Sequence, residues 1–113
     1  MSYSVWLKDD KNGIVEVEDH QEGAIFALGG SNLAEMNITY NYSKVYCLFD
    51  WKPRELDGKR ARDTIPKLQE MVDKLGTRQY KDYWAPTPGN AGHAVNVLLQ
   101  WAKQYPDATW KVR

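Results

Sequence analysis

The sequence predicts an α+β protein, with an antiparallel sheet of about four to five strands and two helices packed on one face of it. The first half of the chain alternates apolar and polar residues, which is the period of a half-buried strand. The second half spaces its apolar residues by three and four, which is the period of an amphipathic helix. Strands followed by helices are typical of the α+β class. The 113 residues contain no linker-like stretch, so we expect a single domain over 1–113.

The strand predictions begin near the N-terminus, where every second residue from Tyr3 to Leu7 is apolar or aromatic. Asn12-Gly13 then predicts a turn at 9–13. The alternation over 34–43 is the longest, with Ala, Met, Ile and Tyr on one face and Glu, Asn, Thr and Ser on the other. Strands are predicted at 3–8, 14–18, 24–28 and 34–43, with two shorter candidates at 45–49 and 108–112.

Two helices are predicted in the second half. The first has Asp63 as its N-cap, Pro66 in its first turn and Gly76 at its end. The second is capped by Thr87, has Pro88 at its first helical position, and ends before a proline. The predicted buried stripes are Ile65, Leu68, Met71, Val72 and Leu75 in the first helix and Ala91, Ala94, Val95, Leu98, Leu99 and Ala102 in the second.

Composition and motifs argue against several classes of protein. Fifteen basic residues balance fifteen acidic ones, whereas a general nucleic-acid binder carries a basic excess. Cys47 is the single cysteine, which excludes a disulfide-stapled secreted scaffold. No apolar run is long enough to span a membrane and no signal-peptide pattern is present, so we expect a cytoplasmic protein. The sequence also lacks zinc-ligand spacings, a GxSxG elbow and a phosphate-binding loop, so we predict no metal, no cofactor and no catalytic residues.

The polar face of the strand over 34–43 is the first candidate site. Asn37, Thr39 and Asn41 occupy alternate positions, although asparagine is uncommon in strands. Three interpretations are open: a solvent-exposed face, a polar network inside the fold, or a row of side chains that binds a polar ligand. The Asn amide both donates and accepts hydrogen bonds, so the third interpretation suits base edges and ribose hydroxyls.

The second candidate site is the segment YWAPTPGN at 83–90. Tyr83 and Trp84 stand just before a helix start, whose free N–H groups favour an anion. Gly89 permits a ligand to approach the backbone closely. We therefore predict that the two aromatic residues stack on a ligand while Gly89 and Asn90 meet its phosphate. The alternative is a proline-fixed helix start with Trp84 packed into the core.

Two of these segments resemble a largely uncharacterised family of small phage and prophage proteins: NITYNY at 37–42 and YWAPTPGNA at 83–91. The resemblance extends over most of the chain from about residue 24. It departs from the family at 47–54, a stretch that is shorter and more basic here. The resemblance implies a small cytoplasmic protein, encoded by a phage or mobile element, that acts in the host cell by binding and has no catalytic residues.

Together these features predict a non-enzymatic binding protein that sequesters a small nucleotide-derived host immune signal, of the cyclic nucleotide or cyclic ADP-ribose type. Arg60 and Arg62 are added as residues that neutralise the ligand's charge. A homo-oligomer is expected, because a pocket between subunits encloses more of a ligand than one small domain can. One alternative is an inhibitor that binds and blocks a host defence protein through exposed Tyr and Trp side chains. Another is a small hydrolase of a nucleotide signal that uses His93 and an acidic residue.

Overall fold

The computed structural model describes residues 2–11, 13–17, 33–82 and 85–113. The regular elements are strands β1 (Ser2–Lys8), β2 (Glu35–Thr39) and β3 (Thr109–Val112) and helices α1 (Ser43–Tyr46), α2 (Ala61–Leu75) and α3 (Pro88–Gln104). Short 3-10 helices lie between β2 and α2, at Tyr40–Tyr42, Cys47–Phe49 and Pro53–Leu56. The α+β class is confirmed.

The sheet is antiparallel and places β1 between β2 and β3. Val5 pairs with Met36 on one side and with Val112 on the other, and Leu7 pairs with Trp110. Directly paired residues point to the same face of a sheet, so these apolar side chains gather on one face. That face and the buried stripes of α2 and α3 belong to one hydrophobic core.

The described residues form three strands rather than the four to five predicted. The predicted strand at 14–18 is described only to residue 17, where it forms single bridges, Ile14 with Lys8 and Glu16 with Leu33. The predicted strand at 24–28 lies outside the described residues. The strand predicted at 108–112 is present as β3.

The strand predicted over 34–43 ends at Thr39, and the one predicted over 45–49 is helical. The Thr39 hydroxyl accepts a hydrogen bond from the Asn41 backbone N–H at 3.2 Å, which turns the chain into a helical path. Tyr42, Val45 and Tyr46 then share a buried helical face. The Tyr46 hydroxyl donates to the Ala91 carbonyl at 3.0 Å and anchors this segment to α3.

The two long helices match the predicted stripes, but the start of α2 differs. α2 begins at Ala61 with Arg60 as its N-cap, so the prediction of Asp63 as the cap is wrong. Asp63 lies instead in the first turn, where a carboxylate is favoured by the helix dipole. Pro66 consequently lies inside the helix rather than in its first turn. The predicted ends are confirmed, because Gly76 is the C-cap of α2 and Thr87 caps α3 ahead of Pro88.

The chain that leaves α2 lies directly on the first turns of α3. Gly76 ends α2 with φ of 74°, and its N–H donates to the Val72 carbonyl at 2.8 Å. A Cβ atom at Gly92 would overlap the Gly76 carbonyl oxygen, and one at Gly89 would overlap the Arg78 carbonyl oxygen. The two glycines therefore create the space that this backbone occupies.

Candidate functional site

The start of α3 directs its polar groups toward the protein's own backbone. The Thr87 hydroxyl accepts from the Asn90 N–H at 3.2 Å, as a capping residue should. The Asn90 side chain accepts from the Tyr80 N–H at 2.9 Å and donates to the carbonyls of Asp82 and Ala85 at 3.0 Å each. Asn90 is 2% exposed. Its amide is thus a buried clamp on the chain segment before the helix.

Gly89, predicted to meet phosphate, is also buried, because the Arg78 carbonyl lies against it. Tyr83 and Trp84, the predicted stacking residues, lie outside the described residues. His93, the candidate base of the hydrolase alternative, is half-buried in α3. Within the described residues, Asn90 and Gly89, which were predicted to contact phosphate, make contacts with the protein's own backbone instead.

The three residues that were predicted to bind a ligand from the strand over 34–43 have three different environments. Asn37 is half-buried, and its Oδ1 atom accepts from the Ser4 hydroxyl at 3.1 Å. Thr39 is buried and caps the following 3-10 helix. Asn41 is exposed and belongs to that 3-10 helix rather than to the strand. Only Asn37 therefore lies on the sheet as a strand residue with a partly accessible amide.

The two predicted arginines also separate. The Arg62 guanidinium forms an ion pair with Asp107. Arg60 is exposed and pairs through its backbone with Thr109 of β3. Since paired residues share a face, this bridge places Arg60 on the same side of the sheet as Thr109. That side is the one that also carries Asn37.

We call this side of the sheet, opposite the core, the outer face. The strand pairing places the following residues on it: Ser2, Ser4, Trp6, Lys8, Glu35, Asn37, Thr39, Arg60, Thr109, Lys111 and Arg113. They stand in rows across the strands: Asn37, Ser4 and Arg113 form one row, because the Ser4 and Arg113 backbones exchange hydrogen bonds at 3.0 and 2.9 Å. Glu35, Trp6 and Lys111 form the adjacent row.

The centre of the outer face combines an aromatic ring with cations. The Arg113 guanidinium carbon lies 6.0 Å from the centroid of the Trp6 ring, which is half-buried. Lys111 is exposed and directly paired with Trp6. The acidic residue of this row, Glu35, is 8% exposed and so contributes little surface to the face.

The positive charge is uneven along the outer face. At the end near Lys8, a cavity of about 560 Å³ is lined by Asp9, Asp10 and Asp57 as well as by Lys8 and Lys111. These carboxylates offset the lysines there. At the Arg113 end, beside Trp6 and Asn37, the acidic residue is the buried Glu35, and the exposed charged side chains among the described residues are Lys111 and Arg113.

Sequence reasoning missed Trp6, Lys111 and Arg113 as candidate residues. The alternation in β1 does direct Trp6 away from Val5 and Leu7, so its outward position was open to prediction. The proximity of Trp6 to Lys111 and Arg113 could not be predicted, because it depends on the pairing of β1 with a strand more than a hundred residues away.

No group of His, Cys, Asp and Glu side chains among the described residues could hold a metal ion. The described helices include none that is both long and apolar enough to cross a membrane. No family model, curated protein or solved structure matches the chain.

Proposed function

We propose that this protein binds a small nucleotide-derived ligand on the outer face of its sheet and holds it without chemical change. The observation that carries the proposal is the cluster of Trp6, Lys111 and Arg113, with Asn37 in the adjoining row. It combines the three elements that nucleotide recognition needs: an aromatic surface, cations and an amide.

Each group has a separate role in this proposal. The Trp6 ring offers a surface on which a base stacks, a contact that contributes about 1–3 kcal/mol. Lys111 and Arg113 donate charge-assisted hydrogen bonds to phosphate oxygens. The Asn37 amide uses its Oδ1 atom for Ser4, while its N–H groups are donors for a base or ribose oxygen.

The balance of basic and acidic residues in the whole chain fits a small ligand better than a long nucleic acid. Fifteen acidic residues balance its fifteen basic ones, whereas a protein that binds a long nucleic acid carries a basic excess. The resemblance to phage proteins supplies a biological setting, in which the ligand is a host immune signal of the cyclic nucleotide or cyclic ADP-ribose type. Binding would remove such a signal from its receptor by mass action.

The test is a thermal-shift screen of the whole chain against nucleotides, cyclic di- and trinucleotides and cyclic ADP-ribose isomers. A stabilising compound is then titrated by calorimetry, released by heat and analysed by chromatography. We expect it to be recovered intact. Recovery of an altered compound would replace the proposal with the hydrolase alternative, for which His93→Ala is the diagnostic variant.

The site assignment is tested with Trp6→Ala and Arg113→Ala. Each is expected to weaken binding by about tenfold or more, since one stacking or charge-assisted contact is worth more than about 1.4 kcal/mol. Tyr80→Ala and Lys52→Ala are matched controls, because both positions are exposed and lie off the outer face. Unchanged affinity in both outer-face variants, or no stabilisation by any compound, would overturn the assignment; the second result favours the protein-blocking alternative.

A further inference from the structure

Leu48 is the most exposed large apolar side chain among the described residues, at 80%. It is held outward by a defined turn rather than by a loose loop. The 3-10 helix Cys47–Phe49 ends at Asp50, whose φ of 52° is left-handed and whose N–H donates to the Cys47 carbonyl at 3.1 Å. Leu48 therefore projects from a fixed backbone.

A groove runs between this turn and the side of α2. We call it the Leu48 groove; its volume is about 670 Å³, and its apolar lining is Leu48, Phe49 and Leu75. Phe49 and Leu75 are half-buried against the core. The same surface thus presents one projecting apolar side chain and, beside it, an apolar recess.

The charged rim of the Leu48 groove is balanced. Lys67 and Lys74 of α2 contribute two cations, and Glu70 and Asp50 contribute two anions. Lys67 and Glu70 form an ion pair at 3.5 Å. Lys74 lies on the α2 side of the groove, and Asp50 lies with Leu48 on the turn side, so the two sides carry opposite charges.

We propose that the Leu48 groove is a twofold self-association surface whose occupant is a second copy of this chain. A twofold contact joins one patch to itself, so it needs a patch that carries both members of each complementary pair. Here Leu48 of one protomer fits the recess of the other, and Asp50 of each protomer faces Lys74 of its partner. A nucleic acid or a peptide of one charge sign would instead favour a rim of one sign.

This inference does not depend on the proposed ligand site, because no residue of the outer face lines the Leu48 groove. Its small apolar centre, three side chains, predicts a weak dimer rather than an obligate one. Cys47 is exposed beside Leu48, so the thiols of two protomers would lie near the twofold axis.

The experiment is sedimentation velocity of the whole chain from about 5 to about 500 µM, a range that spans weak protein association. We expect a reversible monomer–dimer equilibrium. Leu48→Asp should weaken it by about tenfold or more, as loss of a central apolar anchor does. Tyr80→Asp is the matched control, an exposed large side chain outside the groove that should leave the equilibrium unchanged.

Charge variants and a thiol cross-link test the orientation. Lys74→Glu should weaken the dimer, and Asp50→Asn in the same chain should restore part of it, because the second change removes the new repulsion. A short bismaleimide should link Cys47 to its copy, and should do so less in Leu48→Asp. A chain that stays monomeric throughout the range, a dimer indifferent to Leu48→Asp, or a dimer that does not cross-link would each overturn the proposal.

Discussion

Asn90 at the start of α3 and Asn37 in β2 place the same amide in two different environments. Asn90 is buried, and its side-chain amide accepts one hydrogen bond from, and donates two to, backbone groups between Tyr80 and Ala85. Asn37 is half-buried and bonds to one side chain, Ser4. The first region holds the fold together, whereas the second presents functional groups at the surface. An amide near a helix start is thus not by itself a phosphate site.

The largest effect in this comparison is expected at the glycines of α3. Gly92→Ala should lower the free energy of unfolding by about 3 kcal/mol, because the new Cβ overlaps a backbone carbonyl that cannot rotate away. The measurement is urea unfolding followed by circular dichroism.

Gly58→Ala is the matched control for Gly92→Ala. Gly58 has a φ of 80° but nothing within 4 Å of an added Cβ, so only backbone strain of about 1 kcal/mol is expected. If the two variants lost equal free energy of unfolding, the chain after α2 would not be packed closely against α3.

The next largest effect is a difference in stability between variants of the two asparagines. Asn90→Ala leaves the Tyr80 N–H without its partner and removes one of the two hydrogen bonds that the Asp82 and Ala85 carbonyls each accept. It should lower the free energy of unfolding by about 2–3 kcal/mol. Asn37→Ala should lower it by less than about 1 kcal/mol, because one half-buried bond is lost. The affinity for the proposed ligand should show the reverse order, because Asn37→Ala should weaken binding more than Asn90→Ala does. Similar stabilities for the two variants would remove the distinction drawn between the regions.

A further effect, smaller than that of Asn90→Ala, concerns Tyr46, whose hydroxyl bonds to the Ala91 carbonyl of α3. Tyr46→Phe removes one buried hydrogen bond and should cost about 1 kcal/mol at neutral pH. Burial, and secondarily the neighbouring Tyr42, raises the pKa of Tyr46 well above its ordinary value of 10.0. Burial also raises the pKa of Tyr42 to about 12.

The pH dependence follows from these directions. Above pH 10 the unfolded chain loses its tyrosine protons first, while the folded chain retains those of Tyr42 and Tyr46. The folded state then binds more protons, so stability should fall as pH rises from about 10 toward 12. Unfolding at stepped alkaline pH should show a shallower fall in Tyr46→Phe and the wild-type fall in Tyr80→Phe. Identical slopes in Tyr46→Phe and the wild type would contradict the burial of this hydroxyl.

The sequence predicted the helices well because their apolar stripes are long. The spacing of apolar residues in α3 and the Thr87-Pro88 start are local signals, and both are confirmed. The stretch 45–49 was misassigned because a short apolar run suits a strand or a helix equally. What decides it is the contact of Tyr46 with α3, a residue pair far apart in the chain.

In the candidate site too, some features follow from local sequence, and others depend on contacts between distant parts of the chain. Asn37 was predicted from its alternate strand position and Arg60 from its charge, and the fold places both on the outer face. The partners of Asn90 could not be predicted, because they depend on how the chain after α2 folds back over α3. The cluster of Trp6, Lys111 and Arg113 likewise exists only after β1 and β3 pair.

The central position of β1 also has a kinetic consequence. One neighbour, β2, lies about thirty residues along the chain, but the other, β3, lies more than a hundred residues away. Helices α2 and α3 are close in sequence, so we expect their contact to form early. The pairing of Val5 with Val112 closes a loop of more than a hundred residues, so we expect it to form later. Because the outer face takes Trp6 from one strand of this pairing and Arg113 from the other, we expect it to assemble late in folding.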